Sequence, residues 1–136
     1  LNFKHKEIFM KYFILLALAF FSLMASEEEQ MLKATPYEFV QSSIGKGKPY
    51  FLEVGSESCR SCKIMSKQLY KITQQYPSYN INFINIRNDR EVANALNVRM
   101  IPSQIIYDKD GNEVYRNIGL IGSQELLELF KTYKFE

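Results

Sequence analysis

Two spacings of apolar residues take turns along this chain. Tyr50-Phe51-Leu52-Glu53-Val54-Gly55 is a short, nearly continuous apolar run, bounded by Gly45-Lys46-Gly47-Lys48-Pro49 before it and Ser56-Glu57-Ser58 after it. It reads as a buried strand that carries one acid. From Cys59 onward the spacing changes: Cys62, Met65, Leu69 and Ile72 recur at steps of three or four, the signature of one helix face, until Tyr76-Pro77 closes the helix. Ile81 to Ile86 is a second strand. Asp89 to Asn97 is a helix carrying Val92, Ala95 and Leu96, with Asn88 or Asp89 as its cap.

Ser103 to Tyr107 and Glu113 to Ile118 are two further strands, and the Asp-Gly within Asp108-Lys109-Asp110-Gly111-Asn112 marks a hairpin between them. A short helix over Tyr37 to Ile44 precedes the first strand, with Thr35 as N-cap, Pro36 at the first helical position, and Phe39 and Val40 on its apolar side. A last helix follows Gly122-Ser123. Its start, Ser123-Gln124-Glu125-Leu126, resembles a capping arrangement, and Leu126, Leu127, Leu129 and Phe130 form its apolar face. Strand, helix, strand, helix, hairpin, helix predicts an α/β fold: a parallel pair joined by a crossover, an antiparallel addition, and helices on both faces of a mixed central sheet.

The first residues follow a different pattern. Lys4, His5, Lys6 and Lys11 precede the apolar run Tyr12 to Phe21, which leads through Ser22-Leu23-Met24-Ala25-Ser26 to Glu27-Glu28-Glu29. A basic start, an apolar stretch and a small-residue exit are the layout of a secretory signal, with cleavage expected after Ala25. An uncleaved membrane anchor is the alternative; the run is shorter than the roughly 20 apolar residues of a spanning helix. Residues 1–25 are thus expected to be a signal peptide or anchor, 26–34 a short linker and 35–136 the folded domain. Met10-Lys11 would by itself make an ordinary start for the signal.

Composition adds exclusions. The 136 residues suit one domain, and 17 basic against 15 acidic side chains, scattered with no basic stripe, argue against nucleic-acid binding. No glycine pattern that cradles phosphate accompanies Arg87, Arg90 or Arg99. Tyr70, Tyr76, Tyr79 and Tyr115 are expected in core or rim packing.

The candidate chemistry lies in Cys59-Arg60-Ser61-Cys62. A bridge across two intervening residues closes too small a loop to constrain the unfolded chain as a long-range staple does, so the pair is better explained by reactivity than by stability. A metal site would need further ligands, yet these are the only cysteines and His5 is the only histidine. No metal or cofactor is expected beyond the redox-active Cys59-Cys62 disulfide itself. At a strand-to-helix junction, Cys59 sits where unpaired backbone N–H groups and the helix dipole favour a thiolate, so it is expected to attack. Cys62, one turn further in and more buried, is expected to resolve the mixed disulfide. Arg60, and with it Lys63, would add positive potential; Glu57 opposes them.

With these elements in register, the chain resembles the thioredoxin superfamily over nearly all of Thr35 to Tyr133. The resemblance rests on the strand before Cys59-Arg60-Ser61-Cys62-Lys63, the strand Asn82 to Ile86, the run Val98-Arg99-Met100-Ile101-Pro102-Ser103, and the hairpin at Asp108 followed by Gly119. It implies a thioredoxin-like fold. It also implies that Pro102 is cis, packs beside the reactive pair and leaves the backbone at Ile101 free to pair with substrate; a trans proline opening a strand is the plainer reading. Glu53 takes the place of the family's buried acid and would handle the proton of Cys62, unless it points outward from an edge. Three positions depart from the family pattern. Ser58 stands for the usual tryptophan, Phe83 for the basic residue that often partners the acid, and Arg60-Ser61 for Gly-Pro between the cysteines, which makes both residues candidates for redox tuning.

The narrower set Gly55-Ser56-Glu57-Ser58, Cys62-Lys63-Ile64-Met65 and Ile101-Pro102-Ser103-Gln104 is similar to exported bacterial thioredoxin-like proteins. That resemblance implies a periplasmic or extracytoplasmic, monomeric thiol:disulfide oxidoreductase acting on exported proteins as reductant or isomerase, in cytochrome c maturation or disulfide repair, and kept reduced by a membrane-embedded thiol donor. A disulfide-forming oxidant and a non-catalytic binding module are the rival readings.

Overall fold

The computed structural model describes residues 3–23 and 30–136. The first helix, α1 (Phe3–Leu23), carries the apolar run expected as a signal or anchor; the expected cleavage point after Ala25 lies outside the described residues. Among the described residues no helix is long and apolar enough to cross a membrane.

The remainder runs α2 (Tyr37–Ser43), β1 (Tyr50–Gly55), α3 (Arg60–Gln75), β2 (Asn80–Asn85), α4 (Arg90–Ala95), β3 (Ser103–Tyr107), β4 (Glu113–Ile118) and α5 (Ser123–Thr132). The sheet order is β2-β1-β3-β4, with β1 parallel to β2 and antiparallel to β3, and β3 antiparallel to β4. This is the mixed sheet that the element order predicts.

All six residues of β1 are buried because β1 is a central strand with both faces covered. One face packs Phe51, Ile81 and Ile106 against Met65, Leu69 and Ile72 of α3 and Leu126 and Phe130 of α5. The other packs Tyr50, Leu52, Val54, Ile84 and Ile105 against Val40 of α2 and the Leu96–Val98 turn. Tyr76, Tyr79 and Tyr115 pack on the rim of the first cluster, with Tyr79 stacked on Tyr76 at 4.8 Å and tilted against Phe130.

Several boundaries differ from expectation. Pro36, not Thr35, is the N-cap of α2, and no side chain caps it; Thr35 instead accepts a hydrogen bond from Asn82 Nδ2 at 3.1 Å. With seven residues α2 has one narrow buried stripe, so Val40 is buried while Phe39 is 54% exposed. Asp89 caps α4 by accepting from Val92 N. That helix ends at Ala95, because Asn97 turns to a positive φ of 51°, a left-handed conformation Asn tolerates. The N-cap of α5 is Gly122 with no side-chain bond, and Ser123 donates to Gln68 Oε1, tying α5 sideways to α3. Leu127 is exposed.

The chain enters this fold along the free edge of β2. Leu32 N donates to Ser66 O at 3.4 Å, Ser66 Oγ donates to Leu32 O at 3.1 Å, and Ala34 bridges Phe83 in parallel register with Thr35 N donating to Phe83 O at 2.7 Å. Residues 32–35 thus form a strap that pins the approach to β1 against α3 and β2.

Candidate active site

β1 ends by delivering the chain to a turn in which Cys59 N donates to Ser56 O at 3.2 Å. Ser56 Oγ and Ser58 Oγ lie 2.9 Å apart, and Ser58 N also reaches Ser56 Oγ, a local serine network that holds the turn's shape. Cys59 is the N-cap of α3: its sulfur accepts from Cys62 N at 3.3 Å, one of the amides at a helix start with no partner inside the helix. Ser61 Oγ lies 3.4 Å from the same sulfur. A thiolate on Cys59 would therefore meet a backbone N–H, a hydroxyl and the positive end of a 16-residue helix, all of which favour the anion.

Cys59 and Cys62 form a disulfide with their Cα atoms 5.2 Å apart. Their exposure differs: Cys59 is half-buried and Cys62 is 1% exposed. Arg60 is the first residue of α3 and is exposed, and among the described residues no hydrogen bond or ion pair joins it to either sulfur. Ser61, by contrast, contacts the Cys59 sulfur directly.

Gly55 closes β1 where no larger residue fits. A Cβ there would lie 3.0 Å from both Cβ and Sγ of Cys62 and 3.3 Å from the Phe83 ring. By strand alternation Glu53 is on the same face as Gly55, so the acid and the buried sulfur share one side of the sheet. Glu53 is completely buried, which rules out the outward-pointing alternative. Burial pushes its carboxyl up from 4.5 to about 8, against the opposing effect of a hydrogen bond from Gln104. Oε1 accepts from Gln104 Nε2 at 3.4 Å; among the described residues Oε2 has no hydrogen-bond partner.

Gln104 was legible in the sequence only as a strand residue. It is completely buried, pairs across β1–β3 with Glu53 and across β3–β4 with Asn117, and receives Asn117 Nδ2 on its own Oε1 at 2.8 Å. The signal is a polar side chain that follows Ser103 and precedes the apolar Ile105-Ile106 of a buried strand. Its partner was unreadable without the register.

The Ile101-Pro102 bond is cis, Pro102 is buried, and its carbonyl accepts from Gly119 N at 2.8 Å. Ile101 is half-buried and lines, with Ser56, Ser58, Cys59, Ile86 and Val98, a groove of about 380 Å³. Met100 beside it is 62% exposed. A second cleft of about 580 Å³ reaches Cys62 from the strap side, lined by Met31, Lys33, Ser66, Tyr70 and Phe83 among others. The two sulfurs thus face different openings. Among the described residues no cluster of three or more His, Cys, Asp or Glu side chains is arranged to hold a metal ion.

Comparisons with known proteins agree with this geometry. The model of a family described as a thioredoxin-like domain matches residues 38–134. The chain is 31% identical over 99 residues to the chloroplastic thioredoxin-like protein HCF164 of Oryza sativa subsp. japonica, a match covering 70% of this chain and 36% of that protein. It spans about a third of the length of that relative. It is 30% identical over 103 residues to thioredoxin of Chlamydia pneumoniae, covering 76% of this chain and 99% of that one. Among solved structures, a thioredoxin from Halobacterium salinarum superposes with a TM-score of 0.66 at 16% identity, over 80% of this chain and 95% of the other. Mitochondrial thioredoxin 3 of Saccharomyces cerevisiae superposes at 0.61 with 22% identity, over 75% and 94%.

Proposed function

Since the chain belongs to the thioredoxin-like family, we propose that it is a thiol:disulfide oxidoreductase that exchanges the Cys59-Cys62 dithiol and disulfide with protein substrates. One observation carries this reading. The cysteines are bonded across a strand-to-helix junction with a helix-start N–H on the outer sulfur, and the inner sulfur is buried on the same side of the sheet as the acid Glu53.

In the reducing direction, the Cys59 thiolate attacks a substrate disulfide, forming a mixed disulfide and releasing one substrate thiolate. Cys62 gives its proton to Glu53, and its sulfur then bonds to Cys59 Sγ. The mixed S–S bond breaks and the second substrate thiolate leaves with the electron pair. Two electrons have moved from the dithiol to the substrate, and a thiol donor must restore them. Ser61 tunes the attacking thiolate through its hydroxyl and Arg60 through its charge. Ile101 lines the groove beside Cys59, and the cis Ile101-Pro102 bond sets the backbone that a substrate strand would meet there.

The finer reading follows from the N-terminal pattern. A basic start, an apolar run and a small-residue exit support export, hence a periplasmic or extracytoplasmic monomer acting on exported proteins and recharged by a membrane-embedded thiol donor. Reduction or isomerisation, in cytochrome c maturation or disulfide repair, is the favoured direction.

The test is turnover of insulin disulfides by the Cys59→Ser and Cys62→Ser variants. Cys59→Ser should be inert, and Cys62→Ser should accumulate a mixed disulfide that non-reducing electrophoresis resolves. Undiminished insulin reduction by Cys59→Ser would refute the enzyme reading. The reduction potential decides direction: a value near about -270 mV fits a reductant, and one near about -120 mV an oxidant.

A further inference from the structure

We infer that Gln104 is a positioning residue for proton transfer: its amide, locked by Asn117 and the Gly119 carbonyl, occupies Oε1 of Glu53 and so reserves Oε2 as the atom that exchanges a proton with Cys62. This rests on the oxidoreductase reading above and concerns a residue outside the cysteine motif.

The orientation of the Gln104 amide follows from its neighbours. Gly119 O can only accept, and it lies 3.0 Å from Nε2; Asn117 Nδ2 can only donate, and it lies 2.8 Å from Oε1. The NH2 group of Gln104 is therefore the end that meets Glu53, with one hydrogen on Gly119 O and the other on Glu53 Oε1 at 3.4 Å. Asn117 is held in turn, its Nδ2 also lying 3.4 Å from Gly119 O. A donor on Oε1 makes that oxygen an acceptor in both states of the acid. The proton of the neutral carboxyl belongs on Oε2, the oxygen with no partner among the described residues in the disulfide form.

The surroundings fit this division. On the Cys62 face of the sheet, Glu53 is flanked by Phe83 from β2 and Gln104 from β3, with the Cys62 sulfur of α3 over Gly55. The ionisable groups that line the cleft on the Cys62 side are Lys33 of the strap, Glu57 of the loop, and Lys63 and Tyr70 of α3 itself. Phe83 stands beside the acid as an apolar wall, so the cross-strand polar partner of Glu53 is a neutral amide. A neutral donor stabilises the carboxylate less than a cation does, and leaves the acid able to bind and release a proton near neutrality.

In the resolving step, the S–H bond of Cys62 breaks as an O–H bond forms on Oε2. The Cys62 sulfur then bonds to Cys59 Sγ while the mixed disulfide breaks, its electron pair leaving on the substrate thiolate. Removing the Gln104 amide frees both carboxyl oxygens and withdraws a hydrogen bond from the carboxylate, so the pH at which resolution becomes fast should rise.

The experiment is rapid-mixing kinetics of mixed-disulfide resolution against pH for the wild type, Gln104→Leu, Asn117→Ala and Glu53→Gln. Gln104→Leu should move the rising limb to higher pH by about one unit, the size of one charge-assisted hydrogen bond. Asn117→Ala, on the edge strand and tolerant of truncation, should move it the same way by less, which keeps the idea testable if Gln104→Leu folds poorly. Glu53→Gln should remove the limb. Two folded variants, Gln104→Leu and Asn117→Ala, with lowered melting temperature and an unmoved limb would reduce Gln104 to a packing role and overturn the proposal. A limb that persists in Glu53→Gln also overturns it, while leaving the oxidoreductase reading intact as long as Cys59→Ser is inert.

Discussion

Two adjacent rows of side chains cross the same face of the sheet, and they are built from opposite materials. The first runs Ile81, Phe51, Ile106, Tyr115 across β2, β1, β3 and β4; the second, two residues nearer the cysteines, runs Phe83, Glu53, Gln104, Asn117. The two central positions of both rows are completely buried. The first row packs against Met65, Leu69, Leu126 and Phe130 and does what a core does. The second places an acid and an amide at equal depth, with the half-buried Asn117 beside them, where each polar atom without a partner has a cost. Depth alone therefore does not separate structure from chemistry in this protein; the difference is distance from Cys62 along one strand.

That contrast is open to attack from both sides, beginning with the largest effect. Phe51→Ala should destabilise the oxidised protein by about 3–5 kcal/mol in urea denaturation, the range for a large aromatic removed from a packed core, and leave the pH dependence of stability unchanged. Glu53→Gln should act in the opposite sense and only at higher pH. With the carboxyl at about 8 when folded and 4.5 ordinarily, the folded state keeps a proton that the unfolded state has released. The stability linked to Glu53 is full below about pH 4.5, declines as pH rises and is gone above about pH 8. Glu53→Gln should flatten that decline, gaining on the order of 5 kcal/mol over wild type at pH 9 in parallel urea titrations. An equal slope in both proteins would mean that the second row holds no titrating acid.

Gly55→Ala probes the seam between rows and sulfur. Its new methyl would press on a disulfide, which cannot swing aside, so a loss of about 1–3 kcal/mol is expected, together with slower thiol exchange. The smallest change, Ile106→Val, should cost about 1 kcal/mol and leave exchange kinetics untouched; a kinetic defect there would blur the boundary between the rows.

Much of this arrangement was legible beforehand, because its signals were local. The bounds of β1, β3 and β4, the onset of α3 at the cysteines and the Asp-Gly hairpin follow from spacing and turn residues within a few positions. Asp89 announced itself as a cap by residue type. At the starts of α2 and α5 a distant partner decides. Thr35 was drawn away from capping by Asn82, and Ser123 by Gln68, neither of which neighbours it in sequence. Glu53 could be flagged as an acid in an apolar strand, but whether it faced in or out depended on β1 being central. That Gln104 meets Glu53 and Asn117 is not legible in the sequence, because cross-strand register is a tertiary quantity. The resemblance supplied the cis bond before Pro102, which local pattern would have read as trans.

The strap has a practical bearing on how the domain tolerates attachments. Residues 30–33 line the cleft that opens on Cys62, and Leu32 is tied to Ser66 on the same helix as that sulfur. A reporter or carrier joined just upstream is delivered to the inner cysteine's doorway, and the groove beside Cys59, lined by Ile86, Val98 and Ile101, stays clear of it. A fluorophore at residue 30 would accordingly register the state of the buried thiol without obstructing the entry of a substrate chain.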